Sequence, residues 1–303
     1  WIITGALGYI GFKICELLKF STDIIIAIDN NFCPSRVKDL VEWRILYYQL
    51  DLFSIKHLLE KADYCIHCAG ITDVPSVLSQ ATPQKDAEIV RVGVEGTREI
   101  IQHTPKECKI IFLSTHVVYE GLKEEVLDIK EDYQPCPILA YSVSKHQSEI
   151  DLKNSNKDYI IARLGSVYGW PATRWKIIVN LFAKMTALDG ELKIFGGNCI
   201  KPIVGITDVA RCLIFLTESD FSREIFHIVN ENIRIKDIAL ICKELSSKLK
   251  ITEIDSETPN NGYSISNEKI LKSGFIFEQN VRSELSYLIR CWTCTGRKRL
   301  ILP

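Results

Sequence analysis

The chain has 303 residues, and its 37 Lys and Arg residues nearly balance its 38 Asp and Glu residues, so the formal charge is -1 at pH 7. This balance gives no reason to expect a polyanion or an anionic membrane as a partner, and it favours a small ligand. We therefore expect neither nucleic acid nor a membrane as a partner.

No apolar run reaches the roughly 18 residues that a membrane-spanning helix needs. The first residues, WIITGALGYIG, lack the charged start and the cleavage site of a signal peptide. The eleven cysteines are odd in number and scattered, which is typical of reduced thiols in a cytosol. We expect a soluble, cytoplasmic protein. We expect no metal site, because Cys65 and Cys68 lie within and just after an apolar strand and Cys291 and Cys294 lie near the C-terminus, whereas structural zinc pairs normally sit on tight loops.

Short apolar runs alternate with longer segments of helical period along the first 165 or so residues. This alternation predicts a parallel α/β sheet with helices on both faces and right-handed crossovers. The predicted strands cover 1–4, 23–29, 45–50, 63–69, 109–114 and 158–164. The predicted helices lie near 9–19, 53–61, 84–103 and 138–153. Beyond them we predict a long helix near 174–189 and an irregular stretch at 192–205.

The segment TGALGYIG places Gly5, Gly8 and Gly11 directly after the first predicted strand, where a helix begins. Glycines there let the backbone approach a pyrophosphate at the helix N-terminus, although the same spacing also suits a tight strand-to-helix turn. The second strand ends at Asp29, whose carboxylate can accept hydrogen bonds from both ribose hydroxyls of an adenosine. This context predicts dinucleotide binding. Asp29 favours NAD by repelling a 2′-phosphate, and Arg36 nearby weakens that preference.

The segment YSVSK places Tyr141 one helical turn before Lys145. Such pairs also arise by chance on solvated helix faces. A tyrosine base at neutral pH needs a stabilised phenolate, because its ordinary pKa is about 10, and a neighbouring ammonium provides that stabilisation. The pair is therefore a candidate proton-transfer site.

Taken together, these motifs resemble an extended short-chain dehydrogenase/reductase, and more narrowly the NAD-dependent epimerase/dehydratase family acting on nucleotide sugars. The resemblance runs from Ile2 to about residue 290. It is carried by TGALGYIG, Asp29, LDL at 50–52, HCAG at 67–70, LSTHVVYEG at 113–121, YSVSK, ARLGSVYGWP at 162–171 and KPIVGITDVAR at 201–211.

The resemblance implies a Rossmann-type, doubly wound parallel sheet in an NAD-binding domain at 1–165. It further implies a smaller, interleaved C-terminal substrate-binding lobe at 166–303, with about 200–230 returning to the first domain. We expect the basic tail, 293–303, to be disordered. A homodimer through the helices near 84–103 and 138–153 is also implied.

The resemblance implies functional residues as well. The catalytic set would be Thr115, Tyr141 and Lys145. The cofactor would contact Gly5, Gly8, Tyr9, Ile10, Gly11, Asp29, Asn30, Asp51, Leu52, Ala69, Gly70, Tyr141 and Lys145. The substrate would contact Thr115, His116, Ser166, Arg174 and Lys201.

Several positions depart from the family pattern. The Asp-Glu pair of the sugar dehydratases is replaced by His116 and Val117, which argues against a 4,6-dehydratase. His116 is either a sugar contact or a hydrogen-bonded loop histidine, and His67 is expected to be structural. Gly93 stands where the family has an Asn that braces the helix bearing Tyr and Lys. Lys201 stands at an Arg that grips a diphosphate, and Lys lacks the bidentate fork of Arg.

We therefore expect an NAD-dependent nucleotide-sugar epimerase that forms a transient 4-keto intermediate. A nucleotide-4-keto-sugar reductase of the same family is the alternative with the same chemistry. A non-catalytic dinucleotide-binding sensor or scaffold is the alternative of another class, because fold does not determine function.

Overall fold

A computed structural model describes residues 1–72, 81–171, 173–188, 190–254 and 262–297. The chain divides into two compact units. The first unit comprises Trp1–Gly121, Glu131–Leu164 and Ala210–Phe226, and the second comprises Leu122–Lys130, Gly165–Val209 and His227–Pro303.

The described chain contains strands and helices in alternation. The strands are β1 (Ile2–Thr4), β2 (Ile26–Asp29), β3 (Leu46–Gln49), β4 (Tyr64–His67), β5 (Lys109–Thr115), β6 (Val126–Ile129), β7 (Asp158–Leu164), β8 (Ser166–Tyr168), β9 (Glu191–Phe195), β10 (Ile200–Gly205), β11 (Glu224–Ile228), β12 (Glu231–Arg234), β13 (Lys250–Ile254) and β14 (Tyr263–Ile265). The helices are α1 (Tyr9–Leu18), α2 (Pro34–Glu42), α3 (Lys56–Leu59), α4 (Pro83–Val90), α5 (Gly96–His103), α6 (Ala140–Asn154), α7 (Ile178–Leu188), α8 (Ile206–Glu218), α9 (Ile235–Leu245), α10 (Glu268–Lys272) and α11 (Val281–Arg297).

The first unit is built on a seven-stranded sheet of order β11-β7-β5-β4-β1-β2-β3. The neighbouring strands from β3 to β7 all pair in parallel. The predicted doubly wound parallel sheet is therefore confirmed. Because β1 lies between β2 and β4, the strand order reverses at β1, and ligands of such sheets bind at the carboxyl ends of the strands near this reversal.

The core of the first unit explains why its central strands are continuous apolar runs. Every residue of β5 is buried. Its Ile110 and Phe112 belong to one apolar cluster with Cys65 of β4, Ile161 of β7 and Leu152 of α6. A strand covered on both faces has no solvent-facing positions, so apolar and polar residues do not alternate along it.

Several boundaries differ from the predicted ones. Helix α2 was not predicted, because only Leu40 of its nine residues is buried and its apolar stripe is thin. The predicted helix at 53–61 is a 3₁₀ turn, Leu52–Ser54, followed by the short α3. The predicted helix at 84–103 is interrupted by a π-helical turn, Arg91–Glu95, between α4 and α5.

The second unit contains three small sheets, of order β12-β10-β8, β13-β9 and β14-β6. Strands β9 and β10 lie in the stretch at 192–205 that was predicted to be irregular, so that prediction was wrong. An apolar cluster joins α7, α9 and α11 and includes Ala183, Ile238 and Leu285. Helix α11 continues to Arg297, so the first part of the tail expected to be disordered is helical. Residues 298–303 lie outside the described residues.

Neither a metal site nor a membrane span is found in the described ranges. These ranges contain no group of three or more His, Cys, Asp or Glu side chains that could hold a metal ion. Cys65 is buried in β4, and Cys291 and Cys294 lie on α11. No described helix has both the length and the apolar character that crossing a bilayer requires.

A buried ion pair joins α6 to the sheet of the first unit. Arg163 of β7 donates from Nε to Glu149 Oε1 at 2.9 Å and from Nη2 to Oε2 at 2.6 Å. Ser114 of β5 donates to the same carboxylate at 2.5 Å. Both charged side chains are almost wholly buried. Burial alone would raise the pKa of Glu149, but the hydrogen bonds from Arg163 and Ser114 and the guanidinium charge lower it to about 2.

We predict that Arg163→Met destabilises the protein strongly, because it leaves the Glu149 carboxylate buried without its counter-charge. The expected loss of unfolding free energy is about 3–5 kcal/mol, measured by urea denaturation at pH 7. Asp151→Asn is the matched control. It breaks the more exposed ion pair between Arg98 and Asp151, and the expected change is below about 1 kcal/mol. Equal losses in both variants would contradict the structural role of the buried pair.

Candidate active site

The glycine loop lies between β1 and α1, and its backbone leaves no room for side chains at Gly5, Gly8 and Gly11; a Cβ on Gly8 would lie 2.9 Å from the Gly5 carbonyl oxygen. Gly5 has φ +65°, and a Cβ there would lie 2.7 Å from the Ala69 nitrogen. A Cβ on Gly11 would overlap the carbonyl oxygen of Gly5. Gly8 is the N-cap of α1 and makes no side-chain cap hydrogen bond. The amide groups at the start of α1 are therefore not capped by a side chain, as anion binding requires.

Asp29 ends β2 and is held against the glycine loop. Its Oδ2 accepts a hydrogen bond from the Leu7 nitrogen at 2.9 Å, and its Oδ1 accepts one from the Asn31 nitrogen at 2.9 Å. The side chain is 8% exposed. Two main-chain donors fix the orientation of the carboxylate, and an ionised carboxylate has further lone pairs to offer a ligand.

Arg36, in the first turn of α2, also contacts the glycine loop. Its Nη1 donates to the carbonyl oxygens of Leu7 and Gly8, the latter at 3.1 Å. Its guanidinium lies 4.8 Å from the ring centre of Phe12. The sequence placed Arg36 only near Asp29, whereas the structure shows it hydrogen-bonded to neutral carbonyl groups of the loop.

Lys145 lies on α6 and is buried beside the end of β4. Its Nζ donates to the Leu113 carbonyl at 2.8 Å and lies 4.7 Å from the centre of the Phe112 ring. A Cβ on Gly70 would lie 3.7 Å from Nζ, so the ammonium faces the segment just after β4. Burial lowers the pKa of Lys145 to about 8, and the nearby Cys68 and Glu149 oppose that shift.

Thr115 lies on β5, the strand that Lys145 contacts. Tyr141 lies on α6, the helix that carries Lys145. Thr115 is the last residue of β5, is buried, and accepts a hydrogen bond from the Val117 nitrogen at 3.3 Å. Tyr141 is the second residue of α6 and is partly exposed. It lies four residues before Lys145, so the two side chains share one helix face.

The other predicted cofactor residues lie in the first unit. Tyr9 and Ile10 form the first turn of α1, and Asn30 follows β2 and is exposed. Asp51 is exposed and caps the 3₁₀ turn in which Leu52 is buried. The carboxyl ends of β1, β2, β4 and β5 thus bring together the glycine loop, Asp29, the segment at 69–70 and Lys145.

The predicted substrate residues are divided between the units. His116 is buried in a 3₁₀ turn directly after β5 in the first unit. The other three belong to the second unit. There Ser166 begins β8, Arg174 precedes α7, and Lys201 lies in β10, where burial lowers the pKa of its ammonium.

A buried chain of hydrogen bonds that the sequence did not reveal passes through His67. Its Nδ1 lies 2.7 Å from Thr4 Oγ1, which accepts from the Ala69 nitrogen at 3.3 Å. Its Nε2 lies 3.3 Å from Thr97 Oγ1. Burial and the Lys145 ammonium lower the pKa of His67 to about 3, so the ring is neutral near pH 7. His67 has the structural environment expected of it.

Comparison with known proteins places the chain in a family. The profile of the NAD dependent epimerase/dehydratase family matches residues 1–230, which is more than half of the 303 residues. The chain belongs to this family. Its cofactor is NAD, in agreement with the prediction from the glycine loop and Asp29.

Individual known proteins resemble the chain at low sequence identity. A probable low-salt glycan biosynthesis reductase of Haloferax volcanii is 26% identical over 175 residues, covering 55% of this chain. The chain spans only about half of that relative, 53% of its length. The spore coat polysaccharide biosynthesis protein SpsK of Bacillus subtilis is 22% identical over 293 residues, or 94% of each chain.

Among solved structures, a variant of UDP-glucuronic acid 4-epimerase from Bacillus cereus superposes with a TM-score of 0.83 at 22% identity. The match covers 97% of this chain and 99% of the other. That protein is in complex with UDP-4-deoxy-4-fluoro-glucuronic acid and NAD. At this identity the likeness shows the fold.

The residues of this chain fit the cofactor of the family. A side chain at Gly5 or Gly11 would collide with the backbone, and Gly8 leaves the N-terminus of α1 without a side-chain cap. A pyrophosphate needs this open, amide-lined backbone. The oriented Asp29 carboxylate at the tip of β2 suits ribose hydroxyls.

We predict that Asp29→Asn weakens NADH binding, because the neutral amide does not accept both ribose hydrogen bonds. The variant should also show a smaller preference for NADH over NADPH, because the amide does not repel a 2′-phosphate. The expected loss is on the order of 1–3 kcal/mol, measured by isothermal titration with both cofactors. Glu42→Gln is the control, because it removes one negative charge from the exposed end of α2, away from the loop. An unchanged NADH affinity in Asp29→Asn would exclude this role of the carboxylate.

Proposed function

We propose that the protein is an NAD-dependent nucleotide-sugar epimerase that works through a transient 4-keto intermediate. The observation that carries the proposal is the buried Lys145 ammonium, one turn after Tyr141 and beside the segment that follows β4. Membership of the epimerase/dehydratase family supports the class of reaction. The replacement of the Asp-Glu pair by His116 and Val117 argues against dehydration.

In this proposal Tyr141 moves the proton of the C4 hydroxyl. As a phenolate it accepts that proton while the C4–H bond breaks, and it later returns the proton to the C4 oxygen. The Lys145 ammonium stabilises the phenolate, and the Thr115 hydroxyl holds the substrate oxygen. Bound NAD supplies the acceptor and the donor of the hydride. Epimerisation results when hydrogen is restored to the opposite face of C4.

The proposed substrate is a sugar linked to a nucleoside diphosphate. Lys201 and Arg174 offer positive charge for the diphosphate, and Ser166 offers a hydroxyl for the sugar. Lys binds phosphate as a point charge without the two-pronged geometry of Arg. The UDP-sugar complex of the Bacillus cereus protein supports this class of substrate.

Experiment distinguishes the proposed epimerase from two alternatives. The similarity to a glycan biosynthesis reductase supports a 4-keto-sugar reductase with the same catalytic residues. The replacement of Asn by Gly93 keeps a non-catalytic dinucleotide-binding sensor or scaffold as the third candidate. Cofactor retained through purification and turnover without added NADH support the epimerase. Consumption of one NADH for each sugar supports the reductase, and cofactor binding without turnover supports the sensor.

The proposed assembly is a cytoplasmic homodimer that pairs α4, α5 and α6 with their symmetry mates. Val90 of α4 is 41% exposed and Val143 of α6 is 43% exposed, so both offer apolar contact area. Association through this face would bury them. Light scattering after size-exclusion chromatography tests the expected dimeric mass.

We predict that Tyr141→Phe abolishes most turnover while folding and NAD binding survive, because it removes only the hydroxyl that exchanges the proton. General acid–base groups contribute roughly 10²- to 10⁴-fold, and we expect a loss in kcat at the upper end. Tyr48→Phe is the matched control, because it removes a phenolic hydroxyl from the edge strand β3. Retention of more than about a tenth of wild-type kcat by Tyr141→Phe would defeat this mechanism.

We also predict an alkaline limb in the pH profile of kcat/KM near pH 8, where Lys145 loses its proton. Below that pH the ammonium is present and stabilises the phenolate, and above it the charge is lost. The Lys145→Arg variant keeps a positive charge that does not titrate in this range. Its pH profile of kcat/KM should therefore lack the alkaline limb, although its kcat/KM is lower than that of the wild type. If the alkaline limb persisted unchanged in Lys145→Arg, it would report the titration of a group other than Lys145.

A further inference from the structure

Gly93 lies in the middle of the π-helical turn Arg91–Glu95 and is packed directly against α6. A Cβ at this position would lie 3.0 Å from Ser144 Oγ and 3.3 Å from Ser144 Cβ. The backbone of the turn therefore approaches α6 more closely than a residue with a side chain allows without displacement. π-helical turns inside α-helices are frequently found at functional sites.

The close approach places the Gly93 carbonyl within reach of a hydroxyl on α6. Ser148 Oγ donates to this carbonyl oxygen at 3.0 Å and also lies 3.0 Å from the Ser144 carbonyl. Thr97 Oγ1 donates to the same Gly93 oxygen at 2.6 Å. Both hydroxyl-bearing residues are fully buried. A buried hydrogen bond in a low-dielectric interior is costly to leave unmade.

These contacts lie within the part of α6 that carries the proposed catalytic residues. Ser144 and Ser148 flank Lys145, and Ser144 Oγ donates to the Tyr141 carbonyl at 2.8 Å. On its other side α6 is held to the sheet by the Glu149 carboxylate and by the Lys145 ammonium. The Gly93 contact thus holds this part of the helix from a second element.

We propose that Gly93 and Ser148 are positioning residues, which fix Tyr141 and Lys145 through the hydrogen bond from the Ser148 hydroxyl to the Gly93 carbonyl. The proposal rests on the proposed function, because it assigns catalytic importance to the position of α6. It also gives Gly93 a role. A side chain here would press on Ser144, and the main-chain carbonyl of Gly93 forms the contact with α6.

The first test compares Ser148→Ala with Thr217→Val. Thr217 is also buried and also donates to the carbonyl four residues earlier, on α8, but it does not join two helices. We expect kcat of Ser148→Ala to fall at least about 10-fold at nearly constant KM, because a 1 Å misplacement can cost on the order of 100-fold. Thr217→Val should keep its kcat. Equal effects in the two variants would overturn the proposal.

The second test moves the glycine from the π-helical turn to the facing position on α6. Gly93→Ala inserts a methyl group against Ser144, and adding Ser144→Gly removes both atoms that it would meet. We expect Gly93→Ala to lower kcat and the double variant to recover much of the loss. This pair keeps the proposal testable if Ser148→Ala does not fold. Failure of Ser144→Gly to restore any activity would count against it.

Hydrogen–deuterium exchange of the NAD-bound protein separates this proposal from the proposed reaction. Peptides covering 139–149 should exchange faster in Ser148→Ala than in wild type, and Thr217→Val should leave them unchanged. Faster exchange in a protein that turns over no nucleotide sugar would reject the reaction and keep the structural contact. Unchanged exchange together with unchanged kcat would reject the positioning role.

Discussion

The position of α6 depends on one buried charge pair, Glu149 with Arg163. Glu149 lies one turn after Lys145 and two turns after Tyr141, so the pair fixes the helix face that carries both. Ser114, which donates to the same carboxylate, directly precedes Thr115 at the end of β5. A single carboxylate thus holds both elements of the proposed catalytic set. A buried pair is weak evidence of net stability, but its bidentate geometry favours one orientation of the helix against the sheet.

The charges of Lys145 and His67 depend on their burial. An ammonium desolvated beside an apolar strand interacts strongly with a phenolate, and the same desolvation lowers its pKa to about 8. Glu149 opposes that loss of charge from one turn away. His67 contributes no charge near neutral pH, because burial keeps its ring neutral. Lys145 is therefore a buried cation at the carboxyl ends of β4 and β5, whereas the charge of Arg163 is paired with Glu149.

Much of the first unit could be predicted from the sequence, because its signals are local. Continuous apolar runs marked β1, β2, β4, β5 and β7, and the glycine spacing marked the loop that a Cβ would block. The thin apolar stripe of α2 gave no such signal. The π-helical turn was hidden because its residues fit a continuous helical period. In the second unit, β9 alternates over only four residues before Phe195 breaks the pattern, and Pro202 interrupts the apolar run of β10.

The contacts that sequence could not reveal join residues far apart in the chain. Glu149 stands at helical spacing from Lys145, and this signal would have placed it on the same face as Lys145, but nothing local identified Arg163 as its partner. Likewise Thr4, His67 and Thr97 are unremarkable until β1, β4 and α5 meet. Ser148 would be an ordinary helix residue without the close approach of Gly93. Their roles depend on tertiary packing, which a single sequence does not specify.

Asp29 and Arg36 carry opposite charges, and both form hydrogen bonds to the backbone of the glycine loop. Asp29 accepts from the Leu7 amide, and Arg36 donates to the carbonyl oxygens of Leu7 and Gly8. The carboxylate keeps acceptor capacity for ribose hydroxyls, whereas the guanidinium already has main-chain partners. A 2′-phosphate would have to approach Asp29 and draw Arg36 away from the loop carbonyls. If Asp29 holds the adenosine ribose as proposed, preference for NAD over NADP arises both from repulsion of a 2′-phosphate by Asp29 and from the hydrogen bonds that hold Arg36.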